Sequence, residues 1–290
     1  MKAGEMSNIP SSSADLHLHT RYSDGGWTPS ELVQGAAKLG FVTIAVTDHD
    51  TLDGIAESLA AGVKQGVEVI AGVEITCNLD GMEAHLLGYF LGDTWQTPAL
   101  RAVLDRAKQL RLERIEQFVA RLHQLGMQLS VADVMACSDC GTTGRLHVAL
   151  ALQRRGVVAN VEEAFTRFLR RGRPAFVDRP RIDLAVAIGH IESAGGVAVL
   201  AHPGLLNRDD QIEELATLGL DGLEVWHPRH SPAQTSRYLK MTEHLGLLAT
   251  GGSDSHGPMR DEFVFGSVRL PQERVEALKR RATDSAKTRR

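Results

Sequence analysis

Short, nearly continuous apolar runs recur along this chain, and most of them stop at a histidine or a carboxylate. Phe41-Val42-Thr43-Ile44-Ala45-Val46 runs into Thr47-Asp48-His49-Asp50, and residues 67–73 run into Glu74. Later, residues 196–201 lead to His202-Pro203-Gly204, residues 220–225 to Trp226-His227-Pro228, and residues 247–250 to Gly251-Gly252-Ser253-Asp254-Ser255-His256. Runs of this length predict strands buried on both faces. Between the first of them the text turns helical. Residues 29–39 have Thr28 as N-cap, Pro29 at the first helical position and Gly40 as the stop, and a second helix is predicted over about 52–64. Residues 82–90 read as a further strand, which carries His85. Strand, helix, strand, with polar residues gathered where strands end, predicts an α/β sheet or barrel whose site lies at the C-terminal rim.

The N-terminal stretch Ala14-Asp15-Leu16-His17-Leu18-His19-Thr20-Arg21-Tyr22-Ser23-Asp24 sharpens that reading. In an extended segment of period two, His17 and His19 share one face and Leu16 and Leu18 the other. The turn that follows at Ser23-Asp24-Gly25-Gly26 lets Asp24 fold back toward the same point. A half-buried strand with merely hydrogen-bonded histidines is the alternative for one such pair. The pair Asp254-x-His256 repeats the spacing, however, and His17, His19, Asp24, His49, Glu74, His85, His202, Asp254 and His256 together make a rim set of imidazoles and carboxylates. Neutral imidazole with carboxylate suits Mn, Zn, Fe or Co, and nine groups exceed what one octahedral ion can use. Two or three divalent ions are implied.

Composition removes several function classes. No run of about 18 apolar residues is present, and Met1-Lys2-Ala3-Gly4-Glu5 lacks the apolar core of a signal peptide. With only Cys77, Cys137 and Cys140, no disulfide framework is possible, and a cytoplasmic protein is expected. A formal net charge of −4 argues against gripping long duplex nucleic acid and leaves small anionic substrates open. Residues 1–13 are expected to be a disordered lead. Residues 98–174 show helical periodicity without strands and are expected to be a helical insertion; residues 271–290 are expected to form a C-terminal helix and basic tail.

The motifs Asp15-Leu-His-Leu-His-Thr20, Ser23-Asp-Gly25, Thr47-Asp-His-Asp-Thr-Leu52, Gly72-Val-Glu74, the strand histidine His85, Ala201-His-Pro-Gly204 and Gly252-Ser-Asp-Ser-His256 resemble, in order, those of the polymerase and histidinol phosphatase (PHP) superfamily. The resemblance implies a distorted (β/α)7 barrel over residues 14–97 and 175–270. It implies one ion at His17, His19, Glu74 and Asp254, a second at Glu74, His85 and His202, and a third at Asp24, His49 and His256. Mn is the expected metal, with Fe or Zn as alternatives. The insertion, Gly144-Arg-Leu-His-Val-Ala149 and Glu224-Val-Trp-His-Pro-Arg-His-Ser231 resemble the branch that includes nucleoside 3′,5′-bisphosphate phosphatases, some relatives of which trim short RNA from the 5′ end.

Ions spaced for an in-line displacement favour hydrolysis of a phosphate ester. The expected catalytic residues are Glu74, Asp254 and His230, and the expected substrate contacts are Arg145, His147 and His230, the first two for a second phosphate. The substrate is then a small nucleotide or a short oligoribonucleotide. A 5′ to 3′ exoribonuclease is the main alternative; behind it stand a histidinol-phosphatase-like enzyme and a metal-binding module without catalysis. Cys137-Ser-Asp-Cys140 has no second pair and reads as structural or incidental. The arginines 167, 170, 171, 173, 179 and 181 read either as a solvated face or as the lining of a phosphate entrance. No Walker-type glycine loop is present.

Overall fold

The computed structural model describes residues 13–137, 143–178, 181–258 and 265–288. In chain order the elements are β1 (Ser13–Asp15), α1 (Pro29–Lys38), β2 (Phe41–Val46), α2 (Ile55–Gln65), β3 (Glu68–Leu79), β4 (Met82–Phe90), α3 (Pro98–Gln124), α4 (Val131–Met135), α5 (Arg145–Arg154) and α6 (Val161–Ala164). They are followed by β5 (Ile182–Asp183), α7 (Leu184–Ser193), β6 (Val197–Leu200), α8 (Pro203–Leu206), α9 (Ile212–Thr217), β7 (Gly222–Trp226), α10 (Pro232–Leu245), β8 (Leu248–Gly251), β9 (Leu270–Pro271) and α11 (Gln272–Thr288). Contacts divide the chain into two units, residues 1–101 with 182–290, and residues 102–181.

The first unit is a strongly curved mixed sheet in the order β8-β7-β6-β4-β3-β2-β1-β9, with β5 beside β3. Its two ends meet in a split closure. Ser13 and Ala14 pair antiparallel with β9, while farther along the same segment the Leu16 N–H donates to Gly251 O (3.2 Å) and the Asp254 N–H to His17 O (3.0 Å). Leu18 bridges Ser255 in parallel. Seven longer stretches thus surround a barrel, as the (β/α)7 reading requires. The interior is filled by Ala14, Leu16, Ala45, Ile70, Leu87, Tyr89, Val197 and Val199, with Val275 and Leu278 of α11 packed into the same core. Their burial supplies the main favourable term for folding this unit.

Two expectations change in detail. β3 does not stop at Glu74 but continues to Leu79 and turns through Asp80-Gly81 into β4, with which it pairs antiparallel. Both turn residues have positive φ (48° and 82°), the conformation that tight hairpins demand. The segment carrying His17 and His19, in turn, is extended and laddered at intervals, whereas regular strand is confined to Ser13–Asp15. Thr28 caps α1 through a reciprocal capping box with Glu31, and Pro29 takes the first position. Ser13 already stands in β1, and the rest of the expected lead lies outside the described residues.

The second unit is helical and has its own core, built from Ile115, Phe118, Leu122, Val134, Val148, Leu152, Phe168 and Leu169 among others. The buried Arg114 guanidinium donates to Val177 O from Nε (3.1 Å) and Nη2 (2.8 Å), which ties α3 to the segment leaving the unit.

Candidate metal centre

The rim residues are placed by backbone ladders that outlast the regular strands. Beyond β2, the Asp50 N–H donates to Glu74 O (2.9 Å) and the Glu74 N–H to Asp48 O (3.2 Å), so His49 and Glu74 remain in parallel register. At the closure, a Cβ on residue 252 would lie 2.3 Å from His17 Cβ, so only glycine lets the two segments approach this closely. Asp254 (φ 52°) and His202 (φ 29°) occupy left-handed backbone that costs non-glycine residues on the order of 1–3 kcal/mol, a strain that collects at functional sites.

Glu74 is buried at the centre. Its Oε2 lies 3.4 Å from His17 Nε2, 3.3 Å from His19 Nε2 and 3.0 Å from His49 Nδ1; its Oε1 lies 2.8 Å from His85 Nδ1 and 3.2 Å from His202 Nε2. Asp254 Oδ1 is 3.4 Å from His17 Nε2 and 3.1 Å from His19 Nε2. On the other side, Asp24 Oδ1 is 3.2 Å from His256 Nε2, and Asp24 Oδ2 is 3.9 Å from His49 Nε2. The His19 and His256 rings stack at 4.1 Å.

Three sets of ligand atoms gather within 4.8 Å of one another: His17, His19, Glu74 and Asp254; His49, Glu74 and His85; and His19, Asp24, His49 and His256. The first coincides with the expected quartet. The other two share His49 and His19 more widely than expected, because each ring turns one nitrogen to either side. His202 stands outside the compact sets and meets the Glu74 oxygen that His85 also faces.

Among the described residues, His17 Nε2, His19 Nδ1, His49 Nδ1, His85 Nδ1 and Glu74 Oε2 are buried without a well-aligned hydrogen bond. Buried polar atoms normally find a partner, and a cluster of such ring nitrogens and carboxylate oxygens fits divalent metal. Electrostatics agree. Burial alone would raise Glu74, but the surrounding His49, His85 and His17 hold it well below the usual carboxylate range. Asp254 is likewise held down against its burial by His17 and His19. Burial, reinforced by His256, lowers His19 to about 3 and keeps it neutral.

His85 is the opposite case: burial disfavours its proton, yet the Glu74 carboxylate outweighs this and raises it to about 10. In the metal-free protein that proton stabilises the fold fully below the ordinary value of 6.5 and is lost as pH rises through about 10. Ligation needs the bare nitrogen, so metal uptake at pH 7 is expected to expel protons and to strengthen as pH rises. Calorimetry in two buffers of different ionisation enthalpy checks this, and a proton count of zero would contradict it.

Several supporting residues stand within the quoted motifs but were given no role from sequence. Glu224, fully buried in β7, meets His17 Nδ1 at 2.9 Å and accepts the His202 N–H at 2.8 Å. Asp48 accepts the Thr20 N–H (2.8 Å), the Thr20 hydroxyl (2.6 Å) and the Ser23 hydroxyl (2.5 Å), pinning the turn that carries Asp24 beside the turn that carries His49. Asp15 accepts the N–H groups of His17 and Ser253, and burial raises it to about 7. His227 Nε2 lies 3.4 Å from Asp254 Oδ2. The readable signal for Glu224 was a carboxylate in an otherwise apolar strand, where a charge persists only with partners.

His230, expected as a catalytic residue and a substrate contact, has both ring nitrogens against backbone: Nδ1 lies 2.9 Å from Val225 O and Nε2 accepts the Gly204 N–H at 3.1 Å. In the helical unit, His147 Nδ1 accepts the Gly144 N–H (3.0 Å) and caps α5, whose first residue is the half-buried Arg145. Arg167, Arg170 and Arg171 pair with Glu163, Glu162 and Asp178 on exposed surface, which favours the solvated reading of the arginine run; Arg179 lies outside the described residues. Cys137 is buried with its thiol on Asp133 O (3.3 Å), and Cys140 lies outside the described residues.

The PHP domain matches over residues 15–216. This chain belongs to the PHP domain family. It is 34% identical over 250 residues to the 3′,5′-nucleoside bisphosphate phosphatase of Chromobacterium violaceum, covering 84% of this chain and 87% of that protein. It is 34% identical over 249 residues to a 5′-3′ exoribonuclease of Haemophilus influenzae, covering 84% and 90%. Among solved structures, a metal-dependent phosphoesterase from Bifidobacterium adolescentis superposes with a TM-score of 0.80 at 32% identity, over 93% of this chain and 96% of that one. Among the described residues, no helix of this PHP chain is long and apolar enough to cross a membrane.

Proposed function

We propose that this chain is a metal-dependent phosphoesterase that removes the 3′-phosphate of nucleoside 3′,5′-bisphosphates, giving nucleoside 5′-monophosphate and phosphate. The observation that carries the reading is Glu74, an ionised, buried carboxylate with one oxygen facing His17, His19 and His49 and the other facing His85 and His202. A carboxylate so placed serves two ligand sets at once. We assign His17, His19, Glu74 and Asp254 to a first ion, Glu74, His85 and His202 to a second, and Asp24, His49 and His256 to a third. The His49 Nδ1 and His19 Nδ1 atoms stand close to the second and third sets respectively. Mn is the favoured occupant, with Fe or Zn as alternatives, on the mixed imidazole and carboxylate donors. Ions held there would supply an activated water and offset the charge of the reacting phosphate.

Glu74 and Asp254 are the proposed catalytic carboxylates, since both stay ionised and both face His17 Nε2 and His19 Nε2. Two or three divalent ions held among neutral imidazoles and the carboxylates of Asp24, Glu74 and Asp254 would leave the rim positively biased, which suits an anionic substrate. The few cysteines fit a cytoplasmic location.

The nucleoside bisphosphate is chosen on the similarity to the Chromobacterium violaceum enzyme, and Arg145 with His147 is proposed to bind the phosphate that does not react. The equal identity to the Haemophilus influenzae exoribonuclease supports a second reading, in which a short 5′-phosphorylated RNA is trimmed. Side-by-side kcat/KM values for adenosine 3′,5′-bisphosphate and a 5′-phosphorylated tetranucleotide separate them; a clear preference for the tetranucleotide would replace the first reading by the second.

If Arg145 forms a charge-assisted contact with the second phosphate, its loss must be selective. For Arg145→Ala, kcat/KM on the bisphosphate is expected to fall roughly a hundredfold, about 2.7 kcal/mol, with little change on an aryl monophosphate. Equal losses on both substrates would place the role of Arg145 in the folding of its helix instead.

A further inference from the structure

Glu224 is a fully buried carboxylate in β7, and both of its oxygens are engaged by candidate metal ligands from other strands. Oε1 sits 2.9 Å from Nδ1 of His17, the nitrogen turned away from Glu74 and Asp254, while Oε2 accepts the backbone N–H of His202 at 2.8 Å. That N–H belongs to the residue whose φ of 29° needs external support. The ring of His17 points its other nitrogen, Nε2, at Glu74 Oε2 and Asp254 Oδ1, both at 3.4 Å.

We propose that Glu224 is the positioning residue for the two ions that share Glu74: it selects the ring tautomer of His17 and fixes the backbone of His202. The inference rests on the metal assignment above. An imidazole that ligates through Nε2 must keep its remaining proton on Nδ1, and a carboxylate is the acceptor that stabilises that form. The same carboxylate holds His202 at the end of β6, so one side chain on β7 controls ligands on either side of it. Glutamine matches glutamate in shape but has one acceptor where two are required. With its oxygen on the His202 N–H, its amide nitrogen confronts the Nδ1 proton of His17; turned over, it confronts the His202 N–H. One of the two contacts is lost in either orientation, while Asp24, His49 and His256 are untouched.

The test is the Mn affinity of the full-length protein, measured by competition with a chelating dye, for wild type, Glu224→Gln and Glu224→Ala, each also in an Asp24→Ala background. Glu224→Gln is expected to weaken at least one ion roughly 10- to 100-fold and to spare the ion of the Asp24 group, and Glu224→Ala to weaken two. The weakening must persist in the Asp24→Ala background, where the third group is already disabled. Unchanged affinities in both Glu224 variants, or equal weakening of every ion, would overturn the proposal. Thermal unfolding of the chelated proteins checks the fold. Should Glu224→Gln unfold early, Glu224→Asp, which keeps the charge and shortens the reach, is expected to weaken the same ions, and unaltered binding there overturns the proposal equally. Failure of the underlying metal assignment has its own signature: wild type itself would take up no Mn, which overturns both.

Discussion

Glu74→Ala is expected to lower kcat/KM for phosphate ester hydrolysis by at least roughly a thousandfold, about 4 kcal/mol of transition-state stabilisation. The size follows from position. Five imidazoles lie within 3.4 Å of one or other Glu74 oxygen, so the substitution removes the shared ligand of two groups and leaves their histidines facing a void. The same variant should retain the ion of Asp24, His49 and His256, because no carboxylate of that group has been lost. Steady-state kinetics beside elemental analysis distinguishes this from simple unfolding. Near-full activity with metal content unchanged would remove Glu74 from the centre of the mechanism.

Removing the metal is expected to have an effect at least as large. Exhaustive dialysis against a chelator should reduce hydrolysis by about a thousandfold or more, and Mn should restore it, since activation of the water is assigned to the bound ions. Burial keeps His19 neutral, while the surrounding carboxylates hold protons on His17 and His85, so the stripped site sets imidazolium against carboxylate. His17 holds its proton against burial because Glu224, Glu74 and Asp254 surround it. Activity that survives chelation intact would contradict this.

Much of the architecture was legible because strands buried on both faces need apolar runs, and residues 41–46, 197–200 and 222–226 supply them. The candidate ligands stood out for a related reason: imidazole and carboxylate at the end of an apolar strand have no packing role there. What periodicity does not carry is strand direction. β3 and β4 form an antiparallel hairpin inside an otherwise largely parallel series, and the clue lay in Asp80-Gly81 rather than in the apolar rhythm. Nor does spacing reveal partners. Glu224 meets the candidate ligands His17 and His202, and Asp48 the turn that carries Asp24, from segments far away in sequence, and their roles emerge only when β7 lies beside the closing segment and the turn after β2 beside the turn at Thr20. His230 shows the converse, a histidine near the rim whose nitrogens serve the backbone.

The number of ions that these side chains hold decides between a shared multi-ion centre and a single site. Elemental analysis of protein purified without chelator and reconstituted with Mn measures it directly. The grouping of His17, His19, Asp24, His49, Glu74, His85, His202, Asp254 and His256 predicts two to three equivalents, on the order of what so many imidazole and carboxylate donors support. One equivalent or fewer after reconstitution would contradict it.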